Sequence, residues 1–364
     1  SRVGMLAGFL AGLLILVGGA VVLVRGSSRL ALSLGITPLV VGLTVVAFGT
    51  SSPELAVTVL SSARGETELA LGNVVGSNIT NILLILGLAA VVRPVEVTPK
   101  VIRFDVPLMT ALSALLLLMG ADGRIGPADG LLLLAGLGAY TVVAVVSGRR
   151  DAAAVREQYE KALGSAPGRG LRALCRNLLL AAGGLLLLLL GSKLLVDSAV
   201  AFAQKMGVSP LVIGLTVVAV GTSLPEAATT LVASLRGERD IAVGNAIGSC
   251  VLNVLAILGL AALVAPGGIP VPPALQHFDL PFLVVVSAAC LPVFLHGLRL
   301  YRWEGAVFLL YFAAYMGYQV AGALGAGLLL RYEVVSGAFL IPITLVTLAA
   351  LSMGLWRQYR PKKA

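Results

Sequence analysis

Two short polar motifs at equivalent points of the chain carry the residues best suited to chemistry. Residues 49–54 read GTSSPE and residues 221–226 read GTSLPE, and each motif interrupts an otherwise apolar segment. Proline lacks an N–H and clashes with the carbonyl four residues earlier, so Pro53 and Pro225 each predict a break in a helix. In lipid the freed carbonyls, Gly49 first among them, need another partner, and a bound cation is one such partner.

The carboxylates of the two motifs, Glu54 and Glu226, also indicate a bound cation. A charge in the middle of a membrane is costly unless it is paired, solvated or protonated. Neither motif has a cationic side chain close to its glutamate, and Lys193 is expected to pair with Asp197 on its own helix. Two such carboxylates at equivalent positions predict a cation site rather than a packing contact.

Each motif is followed by a helix with a row of polar residues on one face. The rows, with a spacing of four residues, are Asn73, Ser77 and Asn81 in the first copy and Asn245, Ser249 and Asn253 in the second. Small residues beside them are explained by close helix packing, but the polar rows are not. We expect a second wall of the site here, with Asn73 and Asn245 as suited to bonding across helices as to ligation.

These groups together are hard oxygen ligands: carboxylates, amides, hydroxyls and carbonyls. Such ligands suit Na⁺, Ca²⁺ or Mg²⁺ and disfavour copper and zinc. A flexible set of about six to eight oxygens favours Ca²⁺ over Mg²⁺, which requires a tight octahedron. Two negative charges balance one Ca²⁺, two Na⁺ or two protons, which is a physical basis for ion exchange.

The elements that position these residues are predicted to be membrane helices. The 364 residues are 58% hydrophobic and 12% charged, about half the charged fraction of a soluble domain. Apolar runs long enough to cross a bilayer recur along the chain, and they are continuous rather than alternating as in a barrel. We expect an all-α polytopic membrane protein, and we interpret the first run as a retained helix rather than a signal peptide.

An internal repeat organises the chain. Residues 38–44 recur at 210–216, and a weaker echo relates Phe104–Pro107 to Phe278–Pro281. The predicted helices cover 5–24, 38–62, 70–92, 105–121 and 128–147 in the first copy, 175–200, 210–235, 242–264, 279–297 and 304–322 in the second, and 335–355 beyond it. Five helices per copy is an odd number, so the second copy must enter the membrane inverted.

The repeat predicts the organisation of the chain. We expect a first repeat at 1–147, a cytoplasmic, partly helical linker at 148–174, a second repeat at 175–325 and an additional helix with a basic tail at 326–364. Lysine and arginine are concentrated on the linker's side of the membrane, which places the N-terminus outside and the C-terminus in the cytoplasm. The expected location is the cell inner membrane.

Several other classes of function are disfavoured. The net charge of +9 comes from residues at the ends of apolar segments, so no nucleic-acid partner is expected. The three cysteines and two histidines show no metal-ligand spacing, and we find no nucleophile–base pair or phosphate loop, so neither an enzyme nor a resident cofactor is expected. The expected partners are calcium and sodium ions and membrane lipid, and we expect a monomer.

The motifs resemble the alpha repeats of the calcium/cation antiporter superfamily, and within it the prokaryotic sodium/calcium exchangers. The resemblance rests on residues 42–54 and 72–78 with their partners at 214–226 and 244–250. It implies a ten-helix core with four ion sites between the repeats, and alternating access in which the first and sixth helices slide. The ligands that it implies are Glu54, Glu226, Thr50, Ser51, Thr222, Ser223, Ser77, Ser249, Asn81, Asn253 and the carbonyls of Ala47 and Ala219.

The activity implied is export of Ca²⁺ in exchange for Na⁺, with exchange of Ca²⁺, or of another cation, for H⁺ as the alternative. A channel is a third possibility, although an inverted repeat around a charged site suits alternating access better. Two positions depart from the family pattern. Asn253 stands where some members carry Asp, and Cys250 stands where the first copy has Asn78. The neutral pair of Asn81 and Asn253 leaves the ion ratio and the coupling ion open.

Overall fold

The computed structural model describes residues 2–163, 171–207 and 219–323. Its helices are α1 (Arg2–Leu34), α2 (Pro38–Thr50), α3 (Ser52–Ala63), α4 (Thr67–Val92), α5 (Val101–Asp122), α6 (Pro127–Leu163), α7 (Leu171–Lys205), α8 (Ala219–Thr222), α9 (Leu224–Arg236), α10 (Arg239–Val264), α11 (Leu275–Leu295) and α12 (Arg302–Ala323). Four short strands lie between helices: β1 (Val95–Glu96), β2 (Arg124–Ile125), β3 (Ile269–Pro270) and β4 (Arg299–Leu300).

The predicted class, an all-α polytopic membrane protein, is confirmed. Within the described ranges, seven helices are long and apolar enough to cross a membrane. The pair α2 and α3, bent by 52° at its break, meets the same criterion when the two helices are taken together. The predicted helix at 335–355 and the segment 210–218 lie outside the described residues.

Several helices extend further than hydrophobicity alone predicts. α1 continues past residue 24 and ends before Gly35, whose φ of 64° suits a helix C-terminus. α6 runs to Leu163 and α7 begins at Leu171, so much of the predicted linker is helical. The hydrocarbon boundary ends an apolar run, but a helix ends only where a residue breaks its hydrogen-bond pattern.

α1 and α7 are equivalent helices of the two copies, and they pack against each other through glycines. The close pairs are Gly12 with Leu195, Gly19 with Leu188 and Gly26 with Ala181. A Cβ on these glycines would lie 2.7, 2.5 and 2.6 Å from the partner's backbone nitrogen, so only glycine allows this approach. Residue numbers rise along one helix as they fall along the other, so the helices are antiparallel. The second copy is therefore inverted relative to the first, as predicted.

Both strand pairs join one copy to the other. β1 pairs with β4 and β2 pairs with β3, each antiparallel. α5 runs from the end of β1 to the start of β2, so the two pairs lie at opposite faces of the membrane. We name these the β1–β4 face and the β2–β3 face.

The most enclosed spans are α4 and α10, in which 78% and 83% of the residues of the apolar stretch are buried. At their contact Asn78 Nδ2 donates to the Cys250 carbonyl over 3.2 Å, and these two residues occupy the same position in the two copies. The equivalent pair Ser113 and Ser287 also meets, with 3.0 Å between hydroxyl oxygens. Residues that touch their own counterparts mark a pseudo-two-fold axis. The polar rows predicted as a site wall therefore lie at the centre of the molecule.

Candidate ion site

The predicted helix breaks are confirmed at Ser51 and Ser223. Their backbone angles leave the helical region, with φ and ψ of −80° and 13° for Ser51 and of −89° and 8° for Ser223. Pro53 and Pro225 sit in the first turn of the helix that follows, where a missing N–H costs no hydrogen bond. Each break places two hydroxyls and a carboxylate side by side in the protein interior.

Each broken helix donates a serine hydrogen bond to the glutamate of the other. Ser51 Oγ donates to Glu226 Oε1 over 2.8 Å, and Ser223 Oγ donates to Glu54 Oε1 over 3.1 Å. Both glutamates are buried, with 2% of Glu54 and 1% of Glu226 exposed. No lysine, arginine or histidine of the described residues forms an ion pair with either of them. The motifs thus converge on one place, and their charges are not balanced by protein cations there.

Four buried oxygens of this region accept no hydrogen bond in the described part of the chain. They are Glu54 Oε2, Glu226 Oε2, Asn81 Oδ1 and Asn253 Oδ1. Each copy contributes one carboxylate and one amide oxygen, from equivalent positions. A buried acceptor without a donor is costly, so such a set indicates a ligand that supplies positive charge. No cluster of three or more His, Cys, Asp or Glu side chains occurs in the ranges described, so neutral oxygens must complete the site.

The residues predicted to form a second wall lie beside the helix breaks. Ser77, Asn81, Ser249 and Asn253 are all buried, and Ser249 Oγ lies 3.1 Å from Ser51 Oγ. Sequence analysis missed one part of this wall. Asn78 Oδ1 accepts from Asn253 Nδ2 over 2.9 Å and so fixes which end of that amide faces the site. The available signal was the unequal pair Asn78 and Cys250, since only the asparagine offers an amide.

Asn73 and Asn245 form hydrogen bonds to the preceding helix of their own copy. Asn73 Nδ2 donates to Thr58 Oγ1 over 2.9 Å, and Asn245 Nδ2 donates to Thr230 Oγ1 over 3.0 Å. Each amide also donates to the backbone carbonyl of its copy's glutamate, over 3.4 and 3.2 Å. These bonds hold the carboxylate-bearing turns in place. The two threonines were not predicted, although each follows its glutamate by four residues.

The Gly49 carbonyl finds the partner that it was predicted to need, and this partner is a side chain rather than a cation. Ser52 Oγ donates to this carbonyl over 2.7 Å, so a side chain one turn on replaces the bond that Pro53 removes. The Ala47 carbonyl accepts from the backbone N–H of Ser51 over 3.0 Å, which leaves one lone pair for a ligand. The Thr50 hydroxyl lies 3.2 Å from that carbonyl and 3.0 Å from Asn245 Oδ1 and can donate to either.

A cavity of about 420 Å³ adjoins both breaks and reaches α7. Its walls include Pro53 and Thr222 from the broken helices and Lys193 and Asp197 from α7. The predicted pairing of these last two residues is wrong, because no ion pair joins their exposed side chains. Among the predicted ligands, Thr222 is the one that this cavity reaches.

Comparisons with known proteins identify the family of the chain. The sequence model of the family described as sodium/calcium exchanger protein matches residues 4–146 and 176–321. Putative antiporter CaxA of Alkalimonas amylolytica is 39% identical over 318 residues, which cover 85% of this chain and 96% of CaxA. Inner membrane protein YrbG of Escherichia coli (strain K12) is 39% identical over 282 residues, which cover 76% of this chain and 84% of YrbG.

A solved structure of the sodium-calcium exchanger NCX_Mj matches with a TM-score of 0.74 and 28% identity, over 88% of this chain and 99% of that one. The family match includes both helix breaks and both polar rows. Members of this family are transporters rather than enzymes. The chain belongs to the sodium/calcium exchanger family.

Proposed function

We propose that the protein exchanges Ca²⁺ for Na⁺ across the membrane by alternating access. The observation that carries the proposal is the set of four buried oxygens without donors, contributed in equal pairs by the two copies. With Glu54 and Glu226 ionised, the site carries two negative charges. One Ca²⁺ or two Na⁺ neutralise it, and a neutral site crosses the low-dielectric interior at lower cost.

The ligands that we propose are those implied by the sequence, and the site supports them to different degrees. Glu54, Glu226, Asn81 and Asn253 each offer an oxygen without a donor. Ser51, Ser223, Ser249 and Thr50 lie in the hydrogen-bond network around those oxygens. The remaining proposed ligands are Ser77, Thr222 and the carbonyls of Ala47 and Ala219.

Two further considerations support sodium as the coupling ion. NCX_Mj is named as a sodium-calcium exchanger. In addition, two of the four oxygens without donors are amide oxygens, which bind Na⁺ or Ca²⁺ but not a proton at ordinary pH. Exchange for two Na⁺ uses all four oxygens, whereas exchange for two protons uses only the carboxylates.

Ca²⁺/H⁺ exchange is the second candidate, and one observation favours it. Each glutamate accepts a serine hydroxyl on Oε1 while Oε2 accepts nothing, so a proton can occupy Oε2 without breaking a bond. A channel is less well supported, because each carboxylate is bonded to a hydroxyl of the other copy, an arrangement that suits an enclosed site better than a continuous pore.

We further propose a multi-pass protein of the cell inner membrane, since YrbG is named as an inner membrane protein. Arg239 and Arg299 pair with Glu96 at the β1–β4 face, and Arg302 bonds to the end of α4 there. This basic face is placed in the cytoplasm by the positive-inside rule, with the N-terminus outside. The division into repeats at 1–147 and 175–325, and a monomeric state, are part of the same proposal.

Uptake of ⁴⁵Ca²⁺ into proteoliposomes tests the function. We expect uptake under an outward Na⁺ gradient at equal pH, and none under a pH gradient without Na⁺. Uptake driven only by the pH gradient would replace sodium by protons in the proposal, and no uptake under either gradient would reject Ca²⁺. Glu54→Gln is expected to abolish uptake. Glu66→Gln, at an exposed glutamate in the turn before α4, is the matched control and is expected to transport normally.

A further inference from the structure

Two equivalent aspartates outside the ion site have different surroundings. Asp105 precedes the regular part of α5, and Asp279 holds the same place in α11. Asp279 Oδ1 accepts from the Tyr315 hydroxyl over 2.9 Å and from Gln319 Nε2 over 2.6 Å. The carboxylate of the second copy is therefore satisfied by donors from α12.

Asp105 lacks both of these donors. Asp105 is 1% exposed, and its Oδ2 has no hydrogen-bond partner in the described chain. Tyr140 of α6 corresponds to Tyr315, yet its buried hydroxyl also has no partner. Ala144 stands where α12 has Gln319, so the amide donor is absent from the first copy. A buried carboxylate with an oxygen that accepts no hydrogen bond is destabilised as an anion.

A cavity of about 190 Å³ occupies the place of the missing amide. Its walls include Val40 and Leu43 of α2, Lys100 and Asp105 at the start of α5, and Ala144 and Ser147 of α6. A space of this size holds several water molecules, and Asp105, Lys100 and Ser147 give them polar partners. The cavity lies towards the β1–β4 face, away from the helix breaks.

The composition of the walls decides what this cavity binds. A metal ion needs about six oxygen ligands, whereas these walls supply the Asp105 carboxylate, the Ser147 hydroxyl and mostly apolar side chains. Lys100 also repels a metal cation and attracts the Asp105 carboxylate. Of the other packed elements, α6 adds Tyr140, which interacts with Asp105. The part of α11 that follows Asp279 carries the buried Cys290, and α2 has no titratable group. A proton needs only one oxygen.

We propose that Asp105 binds a proton from water in this cavity, at a site separate from the ion site. Hydronium in the cavity gives its proton to a carboxylate oxygen, one O–H bond forms, and a water molecule is left behind. Because Val40 and Leu43 of α2 form one wall of the cavity, the charge of Asp105 acts on the N-terminal part of the first broken helix. Exchange then depends on pH even though protons are not the exchanged ion.

Infrared difference spectroscopy of the purified protein tests the site directly. At neutral pH we expect a protonated-carboxyl C=O band that disappears in Asp105→Asn. The matched variant Asp279→Asn is expected to leave this band unchanged, because Asp279 is held as an anion by two donors. Ala144→Gln supplies the counterpart of Gln319 and is expected to weaken the band. It also provides a second variant if Asp105→Asn does not fold.

The transport consequence is measured as Na⁺-driven ⁴⁵Ca²⁺ uptake at equal pH on both sides of the membrane. We expect a pH dependence in the wild type that is flattened in Asp105→Asn and retained in Asp279→Asn. Three results would overturn the proposal: no carboxyl band lost in Asp105→Asn, an equal loss in Asp279→Asn, or a band that appears only in Lys100→Gln. The last would show that Lys100 keeps Asp105 ionised.

Discussion

The two helix breaks look alike in sequence but are stabilised in different ways. In the first, Ser52 Oγ donates to the Gly49 carbonyl within the same broken helix. In the second, Leu224 stands at the position of Ser52, and the Gly221 carbonyl accepts instead from Ser192 Oγ of α7 over 3.3 Å. The freed carbonyl of the first break therefore takes its donor from its own helix, whereas that of the second takes its donor from a neighbouring helix. A displacement of α7 therefore removes a hydrogen bond from the Gly221 carbonyl, whereas the Gly49 carbonyl keeps its donor.

The largest expected effects come from the residues in which the two halves agree. Glu54→Gln and Glu226→Gln each keep the shape of the side chain and remove one of the two charges of the site. We expect each to reduce ⁴⁵Ca²⁺ uptake at least about 100-fold, equivalent to about 3 kcal/mol. Insertion should be normal, as judged by reconstitution yield. Uptake within about tenfold of wild type in either variant would show that the halves are not equivalent and that one carboxylate suffices.

The asparagines that brace the glutamate turns should differ. Asn245 is fully buried and bonds to Thr230, to the Glu226 carbonyl and to Thr50, whereas Asn73 is partly exposed and has fewer partners. We expect Asn245→Ala to destabilise the protein by about 2–3 kcal/mol and Asn73→Ala by about 1 kcal/mol. Thermal unfolding in detergent measures both. Equal losses of stability in the two variants would show that Asn73 and Asn245 contribute equally.

The serines at the breaks should differ in a smaller way. Ser51 contacts both Glu226 and Ser249, whereas Ser223 bonds to Glu54 over a longer distance. We expect Ser51→Ala to weaken the apparent Ca²⁺ affinity about tenfold and Ser223→Ala about threefold. The concentration dependence of Na⁺-driven uptake provides the measurement. A larger loss for Ser223→Ala would reverse the order of importance.

The smallest effect tests the difference between the breaks themselves. Ser192→Ala removes the donor to Gly221 and is expected to cost about 0.5–1 kcal/mol. In a Leu224→Ser background, the new hydroxyl can replace that donor, and the cost of Ser192→Ala should fall to near zero. A double-mutant cycle of unfolding free energies isolates this coupling. An unchanged cost would mean that Ser192 acts through something other than the Gly221 carbonyl.

The parts of the molecule that follow from local pattern could be predicted. The breaks follow from Pro53 and Pro225, and the buried polar rows follow from four-residue spacing. The features that were not predicted depend on tertiary contacts or on side-chain conformations, and sequence periodicity carries no information about either. Ser52 turns back to Gly49 rather than outwards, because a hydroxyl close to a free carbonyl gains a bond. Pairing of β1 with β4 joins residues about 200 apart, and no local signal marks it.

The pairing of strands and carboxylates across the copies has a consequence for biogenesis. The first copy leaves the ribosome before β4 and Ser223 are made, so β1 reaches the membrane face without its partner strand, and Glu54 enters the membrane without its hydroxyl donor. The membrane-inserted position of α3 is therefore not fully stabilised until the second copy, with Ser223 and α9, has also been inserted. A gene encoding only the first copy would yield a complete site only if its product inserted in both orientations and two such chains met. Fusion of two copies in one gene removes that requirement.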